Sequence, residues 1–251
     1  MFAEAELSDD GFLGGRLRIL QPLTGYRAAT DPVLLAAAAP AKPGDTVLEL
    51  GCGAGVASLC LGARVDGLQL TGLERQASYA DLARRNAERN AIRLEVVEGD
   101  LSTMPAVLKR PFAHVIVNPP FFSSGDGTAA RDEGREAAQR EETPLALWLD
   151  AAARRLQPNG WLTMIHLASR LSDVLAACDA RLGSISVLPL VPRADRPATR
   201  ILLRARKGGR AAFRLLSPLV LHQGAQHLAD GDDFTSEAKA VLREGCAITR
   251  L

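Results

Sequence analysis

The residues of this chain best suited to chemistry are three acids and three glycines that recur at the ends of short apolar runs. LELGCGAG (48–55) puts Glu49 two residues before Gly51, with Gly53 and Gly55 following, where the apolar run TVLEL (46–50) gives way to a helical pattern. A strand that turns straight into a helix N-terminus needs residues that tolerate positive φ and let the backbone approach a ligand, and glycine meets both needs. The dinucleotide fingerprint G-x-G-x-x-G/A fails here, since its third place is Val56 counted from Gly51 and Ser58 counted from Gly53. Glu74 ends the next apolar run, in TGLER, 19 residues after Gly55. A carboxylate there can accept both hydroxyls of a ribose, which marks a nucleoside ligand without saying which one. The lesser alternative is an acid favoured by a helix dipole. Asp100, in EGDLS, ends a third run; it could accept from an adenine amine or, with Ser102, cap a helix.

A fourth apolar run, AHVIV (113–117), leads into VNPPFF (117–122). A Pro-Pro pair cannot continue a ladder and stiffens the backbone, so by itself it reads as a rigid strand exit. Beside the glycine turn it suits chemistry on nitrogen. An exocyclic amine conjugated to a ring is a poor nucleophile because its lone pair is delocalised, and two acceptors facing its N–H bonds would stabilise the pyramidal nitrogen that attacks. The Asn118 side-chain oxygen and the Pro119 carbonyl are rigid acceptors of this kind, Pro120 fixes the backbone that carries them, and Phe121 offers a face on which a base can stack. Neither a metal nor a covalent intermediate is required.

Positioning such groups takes a parallel sheet. TVLEL (46–50), LQLTGL (68–73), IRLEVV (92–97), AHVIV (113–117) and WLTMIHL (161–167) read as strands, with helices over Val56 to Ala63 and Gln76 to Ala91 between them. Ser169 to Arg181 reads as a further helix, and SISVLPL (184–190) and TRILLRAR (199–206) as two more strands, close enough in sequence to pair antiparallel. The expected fold is α/β: a doubly wound, Rossmann-like, seven-stranded and mostly parallel sheet with an antiparallel edge. Acids at the ends of three adjacent strands then face one crevice at the C-terminal edge. Residues 1–45 are expected to be a leader packed on the core and 46–251 the domain proper, one domain in all.

Composition bounds the class. With 251 residues, 47% apolar and 24% charged, Gly 22 and Pro 14, the chain is globular rather than disordered, collagen-like or coiled-coil. The longest apolar run, Val33 to Pro40, falls well short of the ~20 residues that span a bilayer. MFAEAELSDD has four acids and no base, unlike a signal or transit peptide, so the expected location is the cytoplasm. Cysteines at 52, 60, 178 and 246 form no CxxC pair and the four histidines add no zinc spacing, so no metal is expected. His114 and His166 lie in apolar runs and read as hydrogen-bonded, partly buried imidazoles. The formal net charge of +1 conceals a segment, Val191 to Arg214, with eight bases against the single acid Asp195. That segment is either a solvated face or a surface for phosphates.

Taken together, LELGCGAG, GLER, EGD and NPPF resemble the class I S-adenosylmethionine-dependent methyltransferases over residues 46–167. The resemblance implies S-adenosylmethionine as cofactor, held by Glu49, Gly51, Gly53, Gly55, Glu74, Asp100 and Asn118. N-P-P-[YF] in this place belongs to enzymes acting on planar amino or amide nitrogens: adenine N6, cytosine N4, guanine N2 and glutamine side chains. The flanks GGRLRILQPLTGYRAATDPVLLAAAAP and RPATRILLRARKGGRAAFRLLSPLVLH extend the similarity, from about residue 12 to 245, to bacterial tRNA (adenine-N6)-methyltransferases that modify a valine tRNA beside its anticodon. That subgroup implies tRNA as partner, with 191–214 tracking its phosphates, and places Thr30 and Asp31 near the methionine end of the cofactor. Asp31-Pro32 could instead open a helix, with Asp31 as N-cap and Pro32 at N1. Two departures stand out: Phe121 occupies a place often held by tyrosine, and SSGDGTAARDEGREAAQREE is mixed in charge rather than basic. The competing readings are a protein-glutamine methyltransferase, which usually carries a helical module before its first strand, an rRNA guanine-N2 or DNA adenine methyltransferase, a nicotinamide oxidoreductase, and an RNA-binding module without catalysis.

Overall fold

The computed structural model describes residues 1–120, 122–123, 140–141, 143–224 and 233–251. The chain opens with an antiparallel hairpin, β1 (Leu7–Phe12) and β2 (Leu17–Pro22), followed by helix α1 (Asp31–Ala38). The alternating units come next: β3 (Thr46–Leu50), α2 (Val56–Arg64), β4 (Gln69–Glu74), α3 (Ala77–Arg89), β5 (Leu94–Glu98) and β6 (Phe112–Val117). Two-residue strands β7 (Phe122–Ser123) and β8 (Arg140–Glu141) pair with each other in parallel. The rest is α4 (Leu145–Arg155), β9 (Leu156–Leu167), α5 (Leu171–Ala177), β10 (Leu182–Val191), β11 (Arg200–Lys207), β12 (Arg214–Leu215), β13 (Leu219–Val220) and α6 (Ser236–Glu244).

The main sheet runs in the order β12-β10-β11-β9-β6-β3-β4-β5, with β13 also on β10. β3, β4, β5, β6 and β9 are parallel, and β11 runs antiparallel to both β9 and β10. Seven long strands form the sheet as expected, and the short β12 and β13 extend it to nine. Strand order reverses between β3 and β6, so their C-terminal ends part into a crevice. β3 and β6 are apolar and almost wholly buried because helices cover both faces. Successive residues serve opposite faces: Val47 and Ile116 pack with α1, α2 and the hairpin residues Leu17 and Ile19, whereas Leu48 and Val117 pack with Leu145, Trp148 and Leu149 of α4.

Where observed elements depart from the expected ones, local chemistry accounts for the difference. The helix expected over 169–181 ends at Ala177, because the Asp179 carboxylate accepts from the Arg181 amide at 2.8 Å and turns the chain into β10. β9 begins five residues before its expected start, with a bulge between the pairs Phe112↔Leu156 and His114↔Trp161 and Asn159 at φ 64°. Helices α4 and α6 lie where no element is expected. Leu145, Trp148, Leu149 and Ala152 line the buried stripe of α4. His114 is buried and bonded through Nε2 to Asp45 at 2.9 Å, and burial lowers its pKa; His166 is also buried, which pushes its pKa down to about 4. Among the described residues, no helix is long and apolar enough to cross a membrane, and no cluster of His, Cys, Asp or Glu could hold a metal ion.

Candidate active site

The crevice at the C-terminal ends of β3, β4 and β6 is lined by Glu49, Gly51, Gly53, Glu74, Asp100, Asn118, Pro119 and Pro120, together with Tyr26 and Trp148. The glycine turn forms its floor. Gly51, Gly53 and Gly55 all adopt left-handed backbone, at φ 67°, 53° and 83°, which side chains with a Cβ resist. Gly55 lines no part of the crevice. It is the residue from which α2 starts, and a Cβ on it would meet Ala83 Cβ of α3 at 3.3 Å.

Each acid has a structural duty as well as a place in the crevice. Buried Glu49 accepts through Oε2 from the Ser58 amide at 2.9 Å and from the Ser58 hydroxyl, so it caps the N-terminus of α2 from the strand beneath it. Its burial pushes the carboxyl pKa up to about 8, and nearby Glu74 adds to the shift. Glu74 accepts from the amides of Gly53 at 2.9 Å and Gln76 at 2.8 Å, tying the glycine turn to the end of β4, and burial raises its pKa too. Asp100 is the cap that its pairing with Ser102 suggested, accepting from the Ser102 hydroxyl at 2.7 Å and amide at 2.8 Å. Those bonds, with Arg75 nearby, hold its carboxyl below the usual range. A cation entering among these three carboxyls would favour their ionised forms.

Asn118 follows β6 directly. Its Nδ2 donates to the Tyr26 hydroxyl at 3.5 Å, whereas its Oδ1 is buried and has no hydrogen-bond partner among the described residues. An unpaired buried acceptor is costly, so the atom is suited to a donor that arrives with a ligand. Tyr26 and Trp148 have no signal in the sequence, because one lies in the loop before α1 and the other on a helix whose role emerges only in three dimensions. Phe121 lies outside the described residues.

Thr30 and Asp31 do not line the crevice, although their neighbours Ala28 and Pro32 do. The N-cap of α1 is Thr30, one residue earlier than the helix-start alternative put it, with Asp31 and Pro32 inside the first turn. Asp31 instead pairs with Arg200 Nε at 3.0 Å.

The basic segment is not one surface. β11 runs down the sheet, so Arg200 sits level with Leu167, past the end of β6, whereas Arg206 sits level with Trp161 and hence with His114 near the start of β6. Several of its bases are committed to structure. Arg193 pairs with Asp233 at 2.7 Å and donates to the Gln223 carbonyl, Lys207 donates to the Leu156 carbonyl at 2.6 Å, and Arg204 and Arg206 stack over Trp161. Arg196 is exposed in the loop between β10 and β11, on the same edge of the sheet as the crevice.

The chain matches the methyltransferase small domain family over residues 29–174, a span that holds the glycine turn, all three acids and Asn118-Pro119-Pro120. It is 31% identical over 226 residues to the tRNA1(Val) (adenine(37)-N6)-methyltransferase of Porphyromonas gingivalis, covering 85% of this chain and 88% of that one. To the protein of the same name from Dickeya chrysanthemi it is 26% identical over 243 residues, with 95% and 94% covered. Among solved structures it is similar to a predicted O-methyltransferase from Agrobacterium tumefaciens, with a TM-score of 0.69, 27% identity, and 86% of this chain and 97% of that chain covered.

Proposed function

Since the chain belongs to the methyltransferase small domain family and to that of the tRNA1(Val) (adenine(37)-N6)-methyltransferases, we propose that it transfers the methyl group of S-adenosylmethionine to N6 of adenine 37 in a valine tRNA. The observation that carries this reading is the buried Oδ1 of Asn118, which has no hydrogen-bond partner among the described residues and lies beside the crevice as an acceptor for an incoming N–H.

The residues present fit the cofactor. Glu74 stands where ribose hydroxyls would be accepted, Asp100 where an adenine amine would be, and Glu49 among the carboxyls that would face the cations of the methionine end. The backbone of Gly51 and Gly53 is bare enough for close approach. When bound, the sulfonium would supply an electrophilic methyl group, its S–CH3 bond breaking as the neutral thioether, S-adenosylhomocysteine, is left behind. Asn118 Oδ1 and the Pro119 carbonyl accept the two N–H bonds of the adenine amine, which draws its lone pair out of conjugation and towards that methyl. An amide has no pKa near 7, so Asn118 acts by hydrogen bonding and the amine proton leaves to solvent after transfer. Pro120 stiffens the strand exit, and Phe121 supplies the stacking face by its place in the motif.

Thr30 and Asp31 act from outside the crevice in this reading: Thr30 starts α1, and Asp31 anchors that start to β11 through Arg200. Residues 1–45 serve as part of one unit with 46–251, because Leu17, Ile19 and the apolar residues of α1 share a hydrophobic cluster with α2. Arg196 is the base of segment 191–214 best placed for tRNA phosphates, and the substrate would be met in the cytoplasm. Mass spectrometry of tRNA nucleosides after incubation with S-adenosylmethionine labelled in the methyl group tests the assignment. N6-methyladenosine is expected; a labelled guanosine, or label recovered in protein glutamine with none in the tRNA, would replace this reading.

A further inference from the structure

The Asn118 amide is two-faced, and only one face suits the chemistry just described. An acceptor facing the substrate amine stabilises it, whereas the same side chain turned by half a rotation presents NH2 to NH2 and repels it. Something must hold the amide one way round. Among the described residues its hydrogen-bond partner is Tyr26, whose hydroxyl accepts from Nδ2.

We propose that Tyr26 is a positioning residue for methyl transfer: its hydroxyl engages Nδ2 of Asn118, so that Oδ1 is the face left for the substrate amine. The inference rests on the adenine-N6 reading for its consequence, though not for its geometry. An amide NH2 can only donate, so the Tyr26 hydroxyl meets Nδ2 as the acceptor. Burial, and after it the nearby charge of Asp31, disfavours ionisation of the phenol and keeps it neutral.

Tyr26 is itself fixed from several sides. Its amide donates to the Tyr79 hydroxyl at 2.9 Å, and the same hydroxyl donates back to the Tyr26 carbonyl at 3.1 Å. Tyr79 is buried on α3 with its ring edge-on to Phe2 at 5.3 Å. The Tyr26 ring also lies against the glycine turn, where a Cβ on Gly53 would come within 3.9 Å of Cε1. One side chain thus bridges the turn after β3 and the motif after β6. At 3.5 Å the bond to Asn118 is long, and such bonds commonly shorten once substrate fills a site.

Tyr26→Phe keeps the ring and removes only the hydroxyl. Single-turnover methyl transfer should fall about tenfold, while melting temperature, cofactor Kd and the KM for tRNA stay within about twofold. In an Asn118→Ala background the same change should do nothing further, because the group it positions is gone. Independently of any substrate, the side-chain NH2 signal of Asn118 in a 15N spectrum, identified by its loss in Asn118→Ala, should exchange faster with solvent in Tyr26→Phe. A wild-type transfer rate in Tyr26→Phe, an equal slowing in both backgrounds, or an unaltered Asn118 amide signal overturns the proposal. Should the wild-type protein methylate some other nitrogen, the adenine-N6 reading falls and the amide signal still decides the role of Tyr26.

Discussion

Gly51 and Trp148 touch across the crevice: a Cβ built on Gly51 would lie 2.8 Å from Cη2 and 3.1 Å from Cζ3 of the indole. The glycine turn after β3 is thus closed on one side by α4, a helix reached almost a hundred residues later in the chain. Backbone at φ 67° and a ring at this distance exclude a side chain for independent reasons.

Gly51→Ala should therefore lose on the order of 3 kcal/mol of stability, combining left-handed strain with overpacking. It should also weaken S-adenosylmethionine binding, since the turn must shift to admit the methyl group. Denaturant unfolding and calorimetric titration measure the two effects. Unchanged cofactor affinity would show that Gly51 does not shape the binding floor.

The position of Glu49 predicts a pH dependence with a definite sign. Its carboxyl pKa is about 8 in the fold against 4.5 for an unperturbed glutamate, so the folded state holds a proton that the unfolded chain has lost. The stability from that proton is complete below pH 4.5 and is lost as pH rises through about 8. Glu49→Gln keeps an acceptor for Ser58 but does not titrate. Its stability relative to the wild type should accordingly rise between about pH 5 and pH 8, as read from denaturant midpoints. Parallel pH profiles for the two proteins would remove Glu49 as the titrating group.

Binding of tRNA should separate the bases of segment 191–214 by their height on the sheet. Removing exposed Arg196 should flatten the log–log dependence of affinity on salt by a fraction of a charge to about one, whereas Arg206→Ala, which frees Trp161 on the lower half, should leave the slope alone. Equal slopes for Arg196→Ala and wild type would return the segment to a structural role.

Local pattern made much of the fold legible. Strand β3 begins and ends where its apolar run does, and the crossover helices start within a residue of the expected place, because the glycine turn and the change of periodicity mark those borders. Glu49, Gly51, Gly53, Glu74, Asp100 and Asn118-Pro119-Pro120 could be brought to one crevice on the rule that parallel strands share a C-terminal edge. What pattern could not carry is partnership across the sequence. The Ser58 bonds of Glu49, the Arg200 pair of Asp31 and the descent of β11 past Trp161 depend on tertiary register. Tyr26 and Trp148 belong to the same class: each is an ordinary aromatic until α3 and the glycine turn place it beside the motif.

The most direct test of the account is single-turnover methyl transfer by Asn118→Ala, with the product located by nucleoside mass spectrometry and cofactor binding measured in parallel. Removing the acceptor Oδ1 should slow formation of N6-methyladenosine by on the order of 10²- to 10³-fold, by analogy with loss of one preorganised oxyanion-hole group. The Kd for S-adenosylmethionine should stay near that of the wild type. Near-normal transfer by the variant, or a wild-type product methylated anywhere but adenine N6, would contradict the account.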